Sequence, residues 1–150
     1  MCLRKAAMLR YCGWLGQRLG QPVRLLSEEE WERCARGADG RLYPWGNGFD
    51  WAFCHGAPSR EEHPWVEPVS TFSHDISPFG VQDLAGCVRE LCQARDDQGY
   101  SPSRGGSWYQ TLALMFRADA RLMRLADRMK TTDVGFRVCY LNPHAEELQE

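Results

Sequence analysis

From Gly37 to Pro78 the chain shows no apolar periodicity, and glycine or proline recurs at Gly40, Pro44, Gly46, Gly48, Gly56, Pro58, Pro64, Pro68 and Pro78. Proline removes a backbone donor and glycine raises the entropy cost of order, so neither a long helix nor a wide ladder fits here. Side chains must hold such a stretch together. Six tryptophans in 150 residues supply large rings for that purpose. Tyr43-Pro44-Trp45-Gly46-Asn47 accordingly reads as a turn anchored by its rings. With 43% hydrophobic residues the chain can bury one core, so residues 1–150 read as a single domain.

Regular elements are expected on either side of this region. Residues 2–19 have near-helical apolar spacing, which predicts an amphipathic helix packed by Leu3, Ala7, Tyr11, Trp14 and Leu15 and stopped by Gly20. Val23–Leu26 reads as a short strand. Ser27 and Glu30 form a capping-box pair, which starts a helix over Glu28–Arg36 that buries Trp31, Cys34 and Ala35 and ends at Gly37. Short strands are expected at Val66–Phe72, Val88–Cys92, Ser103–Trp108 and Gly135–Tyr140. Ser59–His63 reads as an exposed loop tip, and Gly80–Leu84 and Asp96–Gly99 read as turns. The tail from 142 to 150 is polar.

The net charge of −2 gives no support to a nucleic-acid or acidic-membrane partner. Charges interrupt each apolar run near the N-terminus, so neither a signal peptide nor a membrane span is read there. Seven cysteines without a regular framework read as reduced, buried thiols, which places the protein in the cytoplasm. His55, His63 and His74 with Cys54, Cys87 and Cys92 lack paired zinc-ligand spacing.

Several segments, in order, resemble the C-terminal part of the formylglycine-generating enzyme (sulfatase-modifying factor) family. They are Val23–Glu32, Arg36-Gly37 with Arg41–Asn47, Gly80–Glu90, Arg104-Gly105-Gly106-Ser107-Trp108 and Gly135-Phe136-Arg137, and together they span about 6–140. The resemblance implies an irregular α+β fold of the formylglycine-generating-enzyme/C-type-lectin-like kind, with little regular secondary structure. Relatives carry a substantial portion before the first helix, so a larger parent protein or a partner chain is expected to cover what that portion covers elsewhere.

In the catalytic family two cysteines shortly after the G-G-S-W motif bind copper. Their positions hold Gln110 and Met115 here, so copper and formylglycine chemistry are not expected; soft thiolates are what select Cu(I). A family calcium site maps onto the side chains of Asp83 and Glu90 and the carbonyls of Gly86 and Val88, an oxygen set suited to a hard cation. The other reading has Asp83 stabilising a turn and Glu90 pairing with an arginine such as Arg104. Arg104, Arg117, Arg121 and Arg137 read either as an anion clamp or as stitches between loop carbonyls. The arm over 109–133 carries the candidate ligand-binding residues, with Trp108, Tyr109, Gln110, Met115, Arg117 and Arg121 foremost. It reads either as a displayed protein- or peptide-binding surface or as a packed amphipathic helix at Leu122–Met129. The leading expectation is a non-catalytic ligand- or protein-binding module. The alternative is a diverged metal-dependent oxidase or oxygenase, although His55, His63, His74 and His144 show no facial-triad spacing.

Overall fold

The computed structural model describes residues 4–61, 65–93, 100–121, 123–126 and 131–140. In chain order they form α1 (Lys5–Leu19), β1 (Val23–Leu25), α2 (Glu28–Arg36), β2 (Arg89–Leu91), β3 (Tyr100–Arg104), β4 (Met123–Ala126), β5 (Val134–Phe136) and β6 (Val138–Tyr140), with single 3₁₀ turns at Ala57–Ser59 and Ala113–Phe116. Four strands make one sheet in the order β4-β3-β2-β5, and β1 pairs antiparallel with β6 as a second. β2 meets β3 antiparallel and β5 parallel, so Glu90 lies between Arg104 on one side and Gly135 on the other. β5 and β6 belong to different sheets although only Arg137 separates them.

The capping box forms as read. The Ser27 hydroxyl accepts from the Glu30 amide, and the Glu30 carboxylate accepts from the Ser27 amide at 2.8 Å. Arg24 joins the same carboxylate at 2.6 and 2.7 Å, and this pairing holds Glu30 down to a pKa of about 2. Gly37 closes the helix with a positive φ, in close contact with the Pro78 ring. Trp31 and Ala35 are buried, while Cys34 is half-buried.

Helix α1 buries a different stripe from the expected one. Met8 and Cys12 enter the core with Leu25, Leu91 and Val134, while Tyr11 and Trp14 are exposed; Leu3 lies outside the described residues. The cause is close backbone approach. A side chain at Gly16 would meet the Gln21 carbonyl at 3.0 Å, so the helix lies on β1 through its small-residue side and the rings fall to its flank. There Tyr11 meets Phe136 edge-on at 5.6 Å, and Arg18 covers Trp14 at 5.2 Å.

Other expectations need correction. Val66–Phe72 forms no strand, and the chain turns at Ser70 with φ 63°. The strand expected at Ser103–Trp108 is β3, which starts earlier and stops at Arg104 because Gly105 adopts φ 79°. Gly135–Tyr140 divides into β5 and β6. Within Leu122–Met129, where a packed helix is one of the two readings, residues 123–126 form strand β4 paired with β3 from Tyr100↔Ala126 to Ser103↔Met123. Asp96–Gly99 and the tail from 142 to 150 lie outside the described residues, as do residues 62 and 63 of the loop tip.

A buried ion pair joins β2 to the residue before β5. Arg89 donates through Nε to Asp133 at 2.9 Å and through Nη2 to the same oxygen, both side chains being buried. Removing one partner strands the other charge away from water. Asp133→Ala is therefore expected to cost about 3–5 kcal/mol in denaturant unfolding. The double replacement Arg89→Met with Asp133→Leu is expected to recover at least half of that loss, and no recovery would show that the charges themselves matter little.

Candidate functional site

The segment 83–87 organises the region where the sequence places both candidate sites. Asp75, almost completely buried, accepts from the amides of Leu84 at 3.2 Å, Ala85 at 2.9 Å and Gly86 at 3.3 Å. Its carbonyl accepts from the Asp83 amide at 3.0 Å. Burial pushes the Asp75 carboxyl up to about 7 while the amide donors pull the other way. The turn so held contains two left-handed residues, Asp83 at φ 57° and Cys87 at φ 68°. Gly86 lies against the His55 backbone, where a side chain would approach the carbonyl oxygen to 2.6 Å. Cys87 then donates to the His55 carbonyl and accepts from the Trp108 amide, both at 2.9 Å.

Asp83, Gly86, Val88 and Glu90 all line one cavity of about 550 Å³. The structure joins the four residues named for calcium, but it also supplies a cation of its own. Arg137 donates to Glu90 through Nε at 3.0 Å and through Nη2 at 2.8 Å. The same Nη2 donates to the carbonyls of Gln82 at 2.8 Å and Asp83 at 3.3 Å. Trp31 Nε1 takes a further bond to Glu90 at 2.8 Å, and the Asp83 carboxylate accepts from the Ser70 amide at 2.7 Å. As arranged, this set does not fit a calcium ion, because a metal would have to displace Arg137 from Glu90 against charge repulsion. The partner of Glu90 is thus an arginine, but Arg137 rather than Arg104.

The second group is divided by the fold. Trp108 stacks obliquely on Trp65 at 5.2 Å and meets Tyr109 edge-on at 5.5 Å. Trp65 and Tyr109 are 57% and 46% exposed, and Leu112 and Leu114 are also at the surface. Gln110 instead points inward. Its side-chain oxygen accepts from the Ser107 amide at 2.9 Å, and its carbonyl accepts from the Ala57 amide at 3.0 Å. Met115 packs against the core of Tyr43, Cys54, Ala85 and Phe116. Arg117 forms a bidentate pair with Asp119 at 2.9 and 2.7 Å, and Arg121 pairs with Glu32 at 3.1 Å. These two arginines are taken up by protein carboxylates, and the stitching of loop carbonyls falls to Arg104 and Arg137.

Two functional features were missed in the sequence. Trp65 gives only an isolated ring in a proline-rich loop. His55 is buried with neither ring nitrogen bonded to protein, beside Phe72 at 5.6 Å, and a lone histidine in an irregular segment carries no signal for that. The nearby thiols are quiet: burial raises Cys54 and Cys87, and pushes Cys92 up to about 12. A thiolate nucleophile at neutral pH is not what these sites offer.

The match to known proteins agrees with this geometry. Residues 6–140 match the sulfatase-modifying factor enzyme 1-like domain. The chain belongs to that family. It is 36% identical over 113 residues to the inactive C-alpha-formylglycine-generating enzyme 2 of Bos taurus, a match covering 67% of this chain and 35% of that protein. The Mus musculus protein of the same name is 34% identical over 117 residues, with 67% and 34% covered. The chain thus spans about a third of the length of the curated relatives it matches. The structure of PvdO from Pseudomonas aeruginosa superposes with a TM-score of 0.79 at 21% identity, covering 93% of this chain and 60% of that one, and so shares the fold. The irregular α+β architecture is that of formylglycine-generating-enzyme-like domains.

His55 yields a pH test. Burial lowers its folded-state pKa, so below the unfolded value of about 6.5 the unfolded chain takes up the proton first and stability falls with falling pH. Unfolding of wild type and His55→Phe measured from pH 7.5 to 5 is expected to diverge below about 6.5, with the wild type losing more. Parallel curves would mean His55 does not control this limb.

Proposed function

We propose that this domain is a non-catalytic binding module whose recognition surface is the ring run Trp65–Trp108–Tyr109 together with Leu112 and Leu114 of the arm. The observation that carries the reading is a reversal at adjacent positions. Where catalytic relatives would present thiols, Gln110 closes a turn and Met115 packs against the core, while neighbouring Tyr109 is exposed and half-buried Trp108 bridges it to exposed Trp65. Contiguous exposed aromatic side chains offer large apolar area at small entropic cost, which suits a protein or peptide partner. Relatives described as inactive support the non-catalytic half of the reading. No helix among the described residues is long and apolar enough to cross a membrane. The six free cysteines among the described residues suit a reducing compartment, and the proposal places the domain in the cytoplasm.

Two measurements test this reading. Peptides selected from a displayed library against the purified chain are expected to bind Trp65→Ala/Tyr109→Ala at least tenfold more weakly, since each buried aromatic anchor is worth about 1–2 kcal/mol or more. Unchanged affinity would move the binding surface elsewhere. The folded chain, given copper and oxygen, is expected to leave a Cys-x-Pro-x-Arg peptide unconverted by mass spectrometry, and formation of formylglycine would overturn the non-catalytic reading.

A further inference from the structure

The cavity beside Glu90 has a chemistry that the aromatic surface does not use. Its volume of about 550 Å³ is within the range of small-molecule sites. Apolar wall comes from Val69, Phe72, Val81, Val88 and Phe136. Three carboxylates line it, and their states differ. Glu90 is neutralised by Arg137, and Glu67 is paired with Arg60. Asp83 forms no direct ion pair among the described residues: one oxygen accepts from the Ser70 amide, and Arg137, already bonded to Glu90, feels its charge only at longer range. Asp83 is only half-buried, so it faces the cavity without a prohibitive desolvation cost.

The charge of Arg137 is matched by Glu90, which takes its Nε and Nη2, and the same Nη2 also serves two carbonyls of the turn. After internal pairing, the charge left facing the cavity is negative. Complementarity then selects a cation, and the apolar wall selects one with a hydrocarbon body. We propose that this cavity binds a small amphipathic organic cation, with its protonated amine on Asp83 and its apolar body against Phe72, Val88 and Phe136. The site is independent of the binding surface proposed above, although both rest on the loop 86–88, since Cys87 lines the cavity and accepts from the Trp108 amide.

The test uses phenethylamine as probe, with 2-phenylethanol and 3-phenylpropionate as its neutral and anionic matches, titrated into the ¹⁵N-labelled full chain. The amine is expected to shift the amides of Ser70, Gly86, Val88 and Gly135 and to bind about fivefold tighter than the alcohol, the advantage one partly exposed ion pair supplies. Asp83→Asn keeps both the left-handed backbone and the acceptor for Ser70, since asparagine tolerates positive φ. It is expected to reduce the amine to the affinity of the alcohol. Val69→Lys, at an exposed position on the cavity wall, is expected to weaken the amine without disturbing the fold. The proposal is overturned if the amine binds no tighter than its matches, or if Asp83→Asn leaves it unchanged. It is equally overturned if millimolar calcium chloride alone moves the same amides and blocks the amine, because the site would then belong to an inorganic cation.

Discussion

A completely buried guanidinium, that of Arg104, ties the structure together. An isolated charge in the interior would be prohibitively unfavourable, and here both terminal nitrogens find partners while Nε is buried without one. Nη2 donates to Glu32 at 2.6 Å and to the Ala118 carbonyl at 2.9 Å, and Nη1 reaches the Ala120 carbonyl at 3.1 Å. Its face lies over the Trp31 ring at 5.5 Å. One side chain on β3 thereby fixes α2 through Glu32 and Trp31, and fixes the start of the arm through two carbonyls. The same Trp31 donates to Glu90, and Glu90 holds Arg137. A single chain of contacts thus runs from the helix to the turn between the two sheets.

The dependence of this fold on arginine follows from its scarcity of ladders. The strands are three to five residues long, and the described residues from Gly37 to Pro78 contribute none. Backbone carbonyls there still need donors, and a guanidinium carries five N–H groups in a rigid fork. Arg36 serves the carbonyls of Gly40 and Arg41, Arg41 serves Pro44, and Arg137 serves Gln82 and Asp83. Stitching of this kind limits function as well as shaping it. A guanidinium whose charge is already matched by a carboxylate, as Arg137 is by Glu90, has less to offer a ligand carboxylate.

The sequence was most informative where one local rule decided the outcome. The Ser27–Glu30 box, the stop at Gly37 and the ring-anchored turn at Tyr43–Asn47 all lie within a few residues of the groups that satisfy them. It misled where two local preferences competed and a distant partner decided. Tyr11 and Trp14 carry more apolar area than Met8 and Cys12, yet the close approach at Gly16 turned the small stripe inward. The apolar spacing across Leu122–Met129 suits a helix, but β3 offered unpaired backbone groups and residues 123–126 took them. The four candidate calcium residues all line one cavity. That Arg137 would reach Glu90 across 47 positions is a tertiary fact which neither segment shows alone.

The loop Ser107–Gln110 is closed from within beside an exposed ring. The Gln110 side-chain oxygen accepts from the Ser107 amide and the Gln110 amide donates back to the Ser107 carbonyl, so the loop holds its shape through its own hydrogen bonds. Gly56 and Gly106 fit so tightly that added side chains would meet the Phe116 ring at 2.6 and 2.4 Å, so only glycine at these positions lets the ring pack there. Around it lies the surface that this face presents. That surface is apolar at Trp65, Trp108 and Tyr109 and acidic at Asp83, and the short loop 86–88 is packed between the two. The two surfaces meet at Cys87, whose carbonyl accepts from the Trp108 amide.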